Sequence, residues 1–140
     1  MREIKFRGLD IIGNWYIGNL AILTQTVNGV IPGKYISNSV GCPFAYQIRP
    51  ETVGEFTGLR DKNGKEIYES DVVEFLWTPY NPREVEPAKQ TRTGSIIWCD
   101  GAFMLDNVSM GTIERIDSWS WQLEVIGNIH EDINWFTEAV

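Results

Sequence analysis

Residues 56–75 read FTGLRDKNGKEIYESDVVEF. A polar turn, Lys62-Asn63-Gly64-Lys65, interrupts a run otherwise suited to strand. Asn-Gly supplies the positive φ angles that a tight reversal needs. The chain turns again through Ile67-Tyr68-Glu69-Ser70-Asp71. It then enters Val72-Val73-Glu74-Phe75-Leu76-Trp77, so nearly apolar throughout that it predicts a central strand. Two close reversals with no helical period set the class as mainly β.

The same signals repeat on the amino-terminal side. Ile4-Lys5-Phe6-Arg7 alternates, and Trp15-Tyr16-Ile17 follows the turn signal Gly13-Asn14, which predicts a hairpin. Ala21-Ile22-Leu23-Thr24 and Val30-Ile31 flank Asn28-Gly29, a second hairpin cue. Residues 32–43, with Pro32, Gly33, Gly41 and Pro43, read as irregular; Phe44–Ile48 and Thr52–Phe56 read as short strands.

On the carboxy-terminal side, residues 78–92 carry Pro79, Pro82 and Pro87 among polar residues and read as a long loop. Strand character resumes at Gly94–Trp98, reverses at Asp100-Gly101 and returns through Ala102–Leu105. Residues 119–129, WSWQLEVIGNI, read as the last strand, and 130–140 as a short helical turn. This order predicts an SH3-like small β-barrel over residues 58–140, with an N-terminal antiparallel strand layer over 1–57 packed on it in one compact protein. Closure would hide the edges of apolar strands.

The chain has 140 residues and a net charge of −7. Residues 1–92 balance 11 basic against 11 acidic residues, so the whole imbalance lies in residues 93–140, where Arg115 is the only basic residue. Such a surface opposes phosphate backbones and favours basic partners or simple solubility. The first residues, MREIKFR, carry charge rather than an apolar leader, and no apolar run reaches the roughly 20 residues of a membrane helix. The expected setting is cytoplasmic, with Cys42 and Cys99 as free thiols and no membrane partner.

Chemical motifs fail on spacing. Gly58 to Lys65 ends in Gly-Lys, but five residues separate Gly58 from Gly64 where a phosphate loop has four, and Glu66 follows where Ser or Thr is required. A calcium loop with Gly64 at its sixth position would need Leu59 as a ligand. His130 is the only histidine and has no partner at metal or triad spacing. No catalytic, cofactor or metal site is expected. Glu69 and Asp71 read as acceptors for turn amides. Arg60, Lys62 and Lys65 form a small basic cluster, the one candidate binding patch for nucleic acid; Arg83, Lys89 and Arg92 in the proline loop could add to it. Trp98, Phe103, Trp119 and Trp121 offer aromatic faces.

The stretches REIKFRGLD, GNWYIG, TVGEFTGLRDKNGKEIYESDVVEF, GSIIWCDGAFML and LEVIGNIHED together resemble the YopX family, small proteins found mainly in bacteriophages and prophages. The resemblance runs from Met1 to about Asp132. The family's characteristic positions here are Phe56, Thr57, Gly58, Leu59, Asp61, Gly64, Ile67, Tyr68, Glu69, Asp71, Val72, Gly127 and Asn128. Ser70 departs from the pattern, which has glycine there; if that position has positive φ, serine costs turn stability. The resemblance implies a mainly β fold and a phage or prophage origin, and carries no established activity. The expected function is a non-enzymatic accessory protein that binds another protein in the host cell. The alternative is a nucleic-acid-binding small barrel using Arg60, Lys62 and Lys65. Tryptophans and strand edges also allow homo-oligomers.

Overall fold

The computed structural model describes residues 3–38, 44–77, 83, 89–107, 112–117 and 120–131. Cys42, most of the proline loop and the expected helical turn beyond Glu131 lie outside them. The strands are β1 (Phe6–Leu9), β2 (Trp15–Leu23), β3 (Gly33–Ser37), β4 (Tyr46–Ile48), β5 (Gly54–Arg60), β6 (Glu66–Tyr68), β7 (Asp71–Trp77), β8 (Gln90–Cys99), β9 (Ala102–Asn107), β10 (Thr112–Arg115) and β11 (Glu124–Asn128). Single 3-10 turns occupy Pro50–Thr52 and Ser120–Gln122. The chain divides into two compact units, Met1–Gly58 and Leu59–Val140, and the division falls inside the signature stretch.

In the first unit the strands order as β4-β3-β2-β1-β5, with neighbouring strands antiparallel. The Gly13-Asn14 reversal is present, and Leu9 pairs with Trp15 across it. Asp10 organises that loop: its Oδ1 accepts the amide N–H of Asn14 at 2.8 Å and of Ile12 at 3.0 Å. The bond from Asn14 is the largest cause holding the Asp10 carboxyl below its usual value, against a smaller opposing effect of desolvation. Asn28-Gly29 also reverses the chain, with φ of 50° and 83°, and Val27 and Val30 exchange both backbone bonds.

Residues 32–43 are not irregular throughout. Gly33–Ser37 is β3, and Tyr35 and Ile36 are core residues. Proline and glycine at the flanks disguised a strand whose partners, β2 and β4, lie elsewhere in the chain. Pro50–Thr52 is a 3-10 turn rather than the start of a strand. Thr52 is 1% exposed, donates its hydroxyl to Arg49 O at 2.6 Å and accepts Leu9 N–H at 2.9 Å. A local hydroxyl bond of this kind competes with extension.

β5 runs on to Arg60, past the strand expected over Thr52–Phe56. β6 follows the reversal that begins at Asp61. Asp61 N–H donates to Lys65 O at 2.8 Å, and Gly64, at φ 82°, closes the reversal onto Asp61 O.

The sheet of the second unit has the order β10-β9-β8-β7-β11, again antiparallel. Among the described residues β10 and β11 are its two ends and no ladder joins them, so the expected barrel closure is not seen. Turn order specifies connectivity, whereas closure also requires a matching tilt and shear. The edge of β11 is managed in another way. Lys62 N–H donates to Leu123 O and Asp61 Oδ2 accepts Val125 N–H, each at 2.9 Å. The turn after β5 thereby occupies groups that a closing strand would have paired.

β8 begins at Gln90, four residues before the strand expected at Gly94, because β7 continues to Trp77 and offers it a ladder. β10 was not foreseen. The expected final strand splits into the 3-10 turn at Ser120–Gln122 and β11, which carries an irregularity between Val125 and Gly127. Ile67, Val73, Phe75, Ile96, Leu105 and Leu123 form the centre of this unit's core. Each such side chain contributes roughly 1.5–3 kcal/mol by burial.

Ser70 has φ 76°. It is locked there because its N–H donates to Ile96 O at 2.8 Å and its carbonyl accepts Ile129 N–H at 3.0 Å. A non-glycine residue in this region costs about 1 kcal/mol or more, partly offset by the extra unfolded-state freedom of glycine. Ser70→Gly is therefore expected to stabilise the protein by about 0.5–1 kcal/mol, read as a higher urea midpoint at unchanged slope. An unchanged or lower midpoint contradicts the strain argument.

Candidate functional site

The signature turn shows what its polar residues do. Asp61 is 6% exposed. Its Oδ1 accepts the N–H of Asn63 and of Lys65, each at 2.9 Å, and Oδ2 holds β11 through Val125. Asp71 is 1% exposed and its Oδ2 accepts Tyr68 N–H at 2.7 Å, which caps the second turn. Glu69 lies half-buried in that turn. At the end of β11, Asn128 Oδ1 accepts the N–H of His130 at 3.0 Å and of Glu131 at 3.1 Å. Gly127 sits beside the β11 irregularity, and Gly58 adopts φ 85° inside β5. Asp71 accepts a turn amide as its position in the sequence predicts, and Asp61 does the same in the first turn.

The basic cluster is brought together but largely offset. Arg60 donates to Gly64 O at 3.1 Å and lies 3.5 Å from Glu66. Lys62 Nζ lies 3.4 Å from Glu124. Lys65 is exposed on the same turn. These exposed pairs add little stability, yet they cancel much of the positive field that phosphate recognition would use.

The second unit carries a groove of about 360 Å³ that sequence reasoning did not assemble. It lies at the connected end of the β7–β8 hairpin, where Leu76 of β7 pairs with Thr91 of β8. Lys89, just before β8, stands on one side, and Lys62 and Trp121 also line it. The cause of Trp121's position is local. Leu123 is fully buried, and its N–H donates to Ser120 O at 3.0 Å, closing the 3-10 turn. That anchor leaves Trp121 67% exposed, beside Leu76 at 60%. Phe75, 4% exposed, lies beneath. In the sequence Trp121 is one of several aromatic faces and Leu76 one residue of an apolar central strand, because the apolar run 72–77 hides which residues face outward. Trp98 is also exposed, at 51%, and packs edge-on against Phe103 with centroids 4.8 Å apart, at the far end of β8.

The chain matches the YopX protein family over residues 5–134. It belongs to the YopX family. Within this YopX chain the characteristic positions are largely those that build the two turns and the β7–β11 pairing, where Asn128 lies opposite Asp71. In fold the chain is similar to the crystal structure of protein EF1440 from Enterococcus faecalis, at a TM-score of 0.50 and 21% identity, over 94% of this chain and 96% of that one. No curated protein matches it. Among the described residues no helix is long and apolar enough to cross a membrane, and no three His, Cys, Asp or Glu side chains group as metal ligands would.

Proposed function

We propose that this YopX-family protein is a non-enzymatic accessory module that docks a segment of another protein in the groove beside Trp121. Trp121 carries the reading: an indole two-thirds exposed, fixed by a buried neighbour and set against exposed Leu76. Rigid exposed aromatics over an apolar floor are the usual anchors of protein contacts. We also read the connectivity of the second unit as SH3-like, a four-strand meander from β7 to β10 followed by a fifth strand, β11, that returns beside β7. The family resemblance suggests a phage or prophage protein acting in the host cytoplasm.

The test is capture from bacterial host lysate with three baits at micromolar concentration: wild type, Trp121→Ala and Trp98→Ala. A partner retained by wild type and Trp98→Ala, and reduced at least tenfold by Trp121→Ala, supports the reading. Capture indifferent to Trp121, or no specific partner, defeats it. Titration with single-stranded and duplex DNA and RNA at low salt covers the alternative. Salt-sensitive binding that weakens with Lys62→Glu and Lys65→Glu would favour the nucleic-acid module instead.

A further inference from the structure

We infer that the groove takes an extended acidic segment, one bearing an apolar side chain for Trp121 and a carboxylate for Lys89. This rests on the docking reading above. The strands β8, β7 and β11 lie side by side in the sheet, so the groove runs across the strand ends from the Lys89 side, over Leu76, to Trp121 and Lys62. Two strand spacings are about 10 Å, which about three residues of extended chain will span.

Charge selects the segment. Two of the groove's three ionisable lining residues are lysines, Lys62 and Lys89, against Glu74. This is a local reversal in a unit whose residues 59–140 hold seven basic against fifteen acidic residues. The two lysines are not equivalent. Lys62 is shared with Glu124, which stands opposite Glu74 in the β7–β11 ladder. Lys89 is exposed at the other end, and no ion pair with it occurs among the described residues. The carboxylate therefore belongs at the Lys89 end, and the apolar side chain between Leu76 and Trp121. Glu74 in the wall disfavours an acid placed centrally, which fixes the order of the two contacts.

The experiment uses the full chain and fluorescein-labelled peptides followed by anisotropy. The first peptide has a leucine flanked on both sides by glutamates. Matched peptides replace the glutamates by glutamine or by lysine, or the leucine by glycine. The glutamate–leucine peptide is expected to bind at least tenfold tighter than the other three. Its affinity should fall at least tenfold with Lys89→Glu or Trp121→Ala, and should weaken with salt. Equal binding of the glutamine or lysine peptide, still sensitive to Trp121→Ala, overturns the acidic preference and leaves docking standing. Binding of none of the peptides overturns the acidic-segment proposal, while the lysate capture judges docking separately. Circular dichroism of each variant confirms that a loss reflects the groove and not unfolding.

Discussion

Asp61→Ala is expected to destabilise the second unit by about 3–4 kcal/mol, the largest effect of any single polar substitution in the chain. The carboxylate is 6% exposed and accepts three backbone N–H groups, from Asn63, Lys65 and Val125, each at 2.9 Å. Hydrogen bonds to a charged group contribute roughly 1.5–3 kcal/mol each, and three sharing one carboxylate are worth less than their sum. Alanine leaves all three donors without that acceptor and leaves the backbone bond from Lys62 N–H to Leu123 O as the remaining described tie between the turn and β11. Asp61→Asn keeps one acceptor oxygen and places an NH2 against N–H donors, so an intermediate loss is expected. Urea unfolding measures the magnitude, and hydrogen exchange supplies the location, since Val125 N–H should lose protection in both variants. A change of less than about 0.5 kcal/mol, the range of ordinary surface substitutions, would show that the turn does not hold β11.

Gly18→Ala is expected to cost about 2–4 kcal/mol in the first unit. Propensity alone gives the opposite sign, because glycine inside a strand is worse than alanine by roughly 0.5–1 kcal/mol. The neighbouring strand decides. A Cβ on Gly18 would lie 2.2 Å from Ser37 O and 2.8 Å from its carbonyl carbon. These are backbone atoms of β3 and cannot rotate away, so β2 and β3 must separate near the Asn19–Ser37 pair. Gly8 offers a comparison. Its Cβ would lie 2.1 Å from Ile48 Cδ1 and 2.9 Å from Ile48 Cβ. Ile48 is buried and its Cβ does not move with the rotamer, so Gly8→Ala should also destabilise the first unit. A stabilised or unchanged Gly18→Ala, measured by thermal and urea unfolding, would contradict the close approach of the two strands.

How much of this was legible beforehand depends on how local each cause is. The reversals at Gly13, Asn28-Gly29, Asn63-Gly64 and Asp100-Gly101 could be read directly, since positive φ is a property of the residue itself. The strain at Ser70 followed from the family's glycine at that position. Asp71 as a turn acceptor was equally local, three residues from the amide it holds. Asp61 was legible only in part: its bonds to Asn63 and Lys65 lie within the turn, but its bond to Val125 spans 64 residues. The basic cluster was visible as three residues, and its neutralisation by Glu66 and Glu124 was not, because Glu124 is equally remote.

The sequence by itself determined the β class, the family, the places where the chain reverses and the absence of familiar chemical motifs, all matters of short-range pattern. The tertiary structure alone decided that Gly33–Ser37 is a strand, that β8 starts at Gln90, that the second sheet stays open among the described residues, and that Leu76 and Trp121 face a groove instead of the core. The reason is one of range. A strand exists because a distant partner offers it a ladder, and a side chain is exposed because of which elements fail to cover it. Neither fact is contained in the residues on either side.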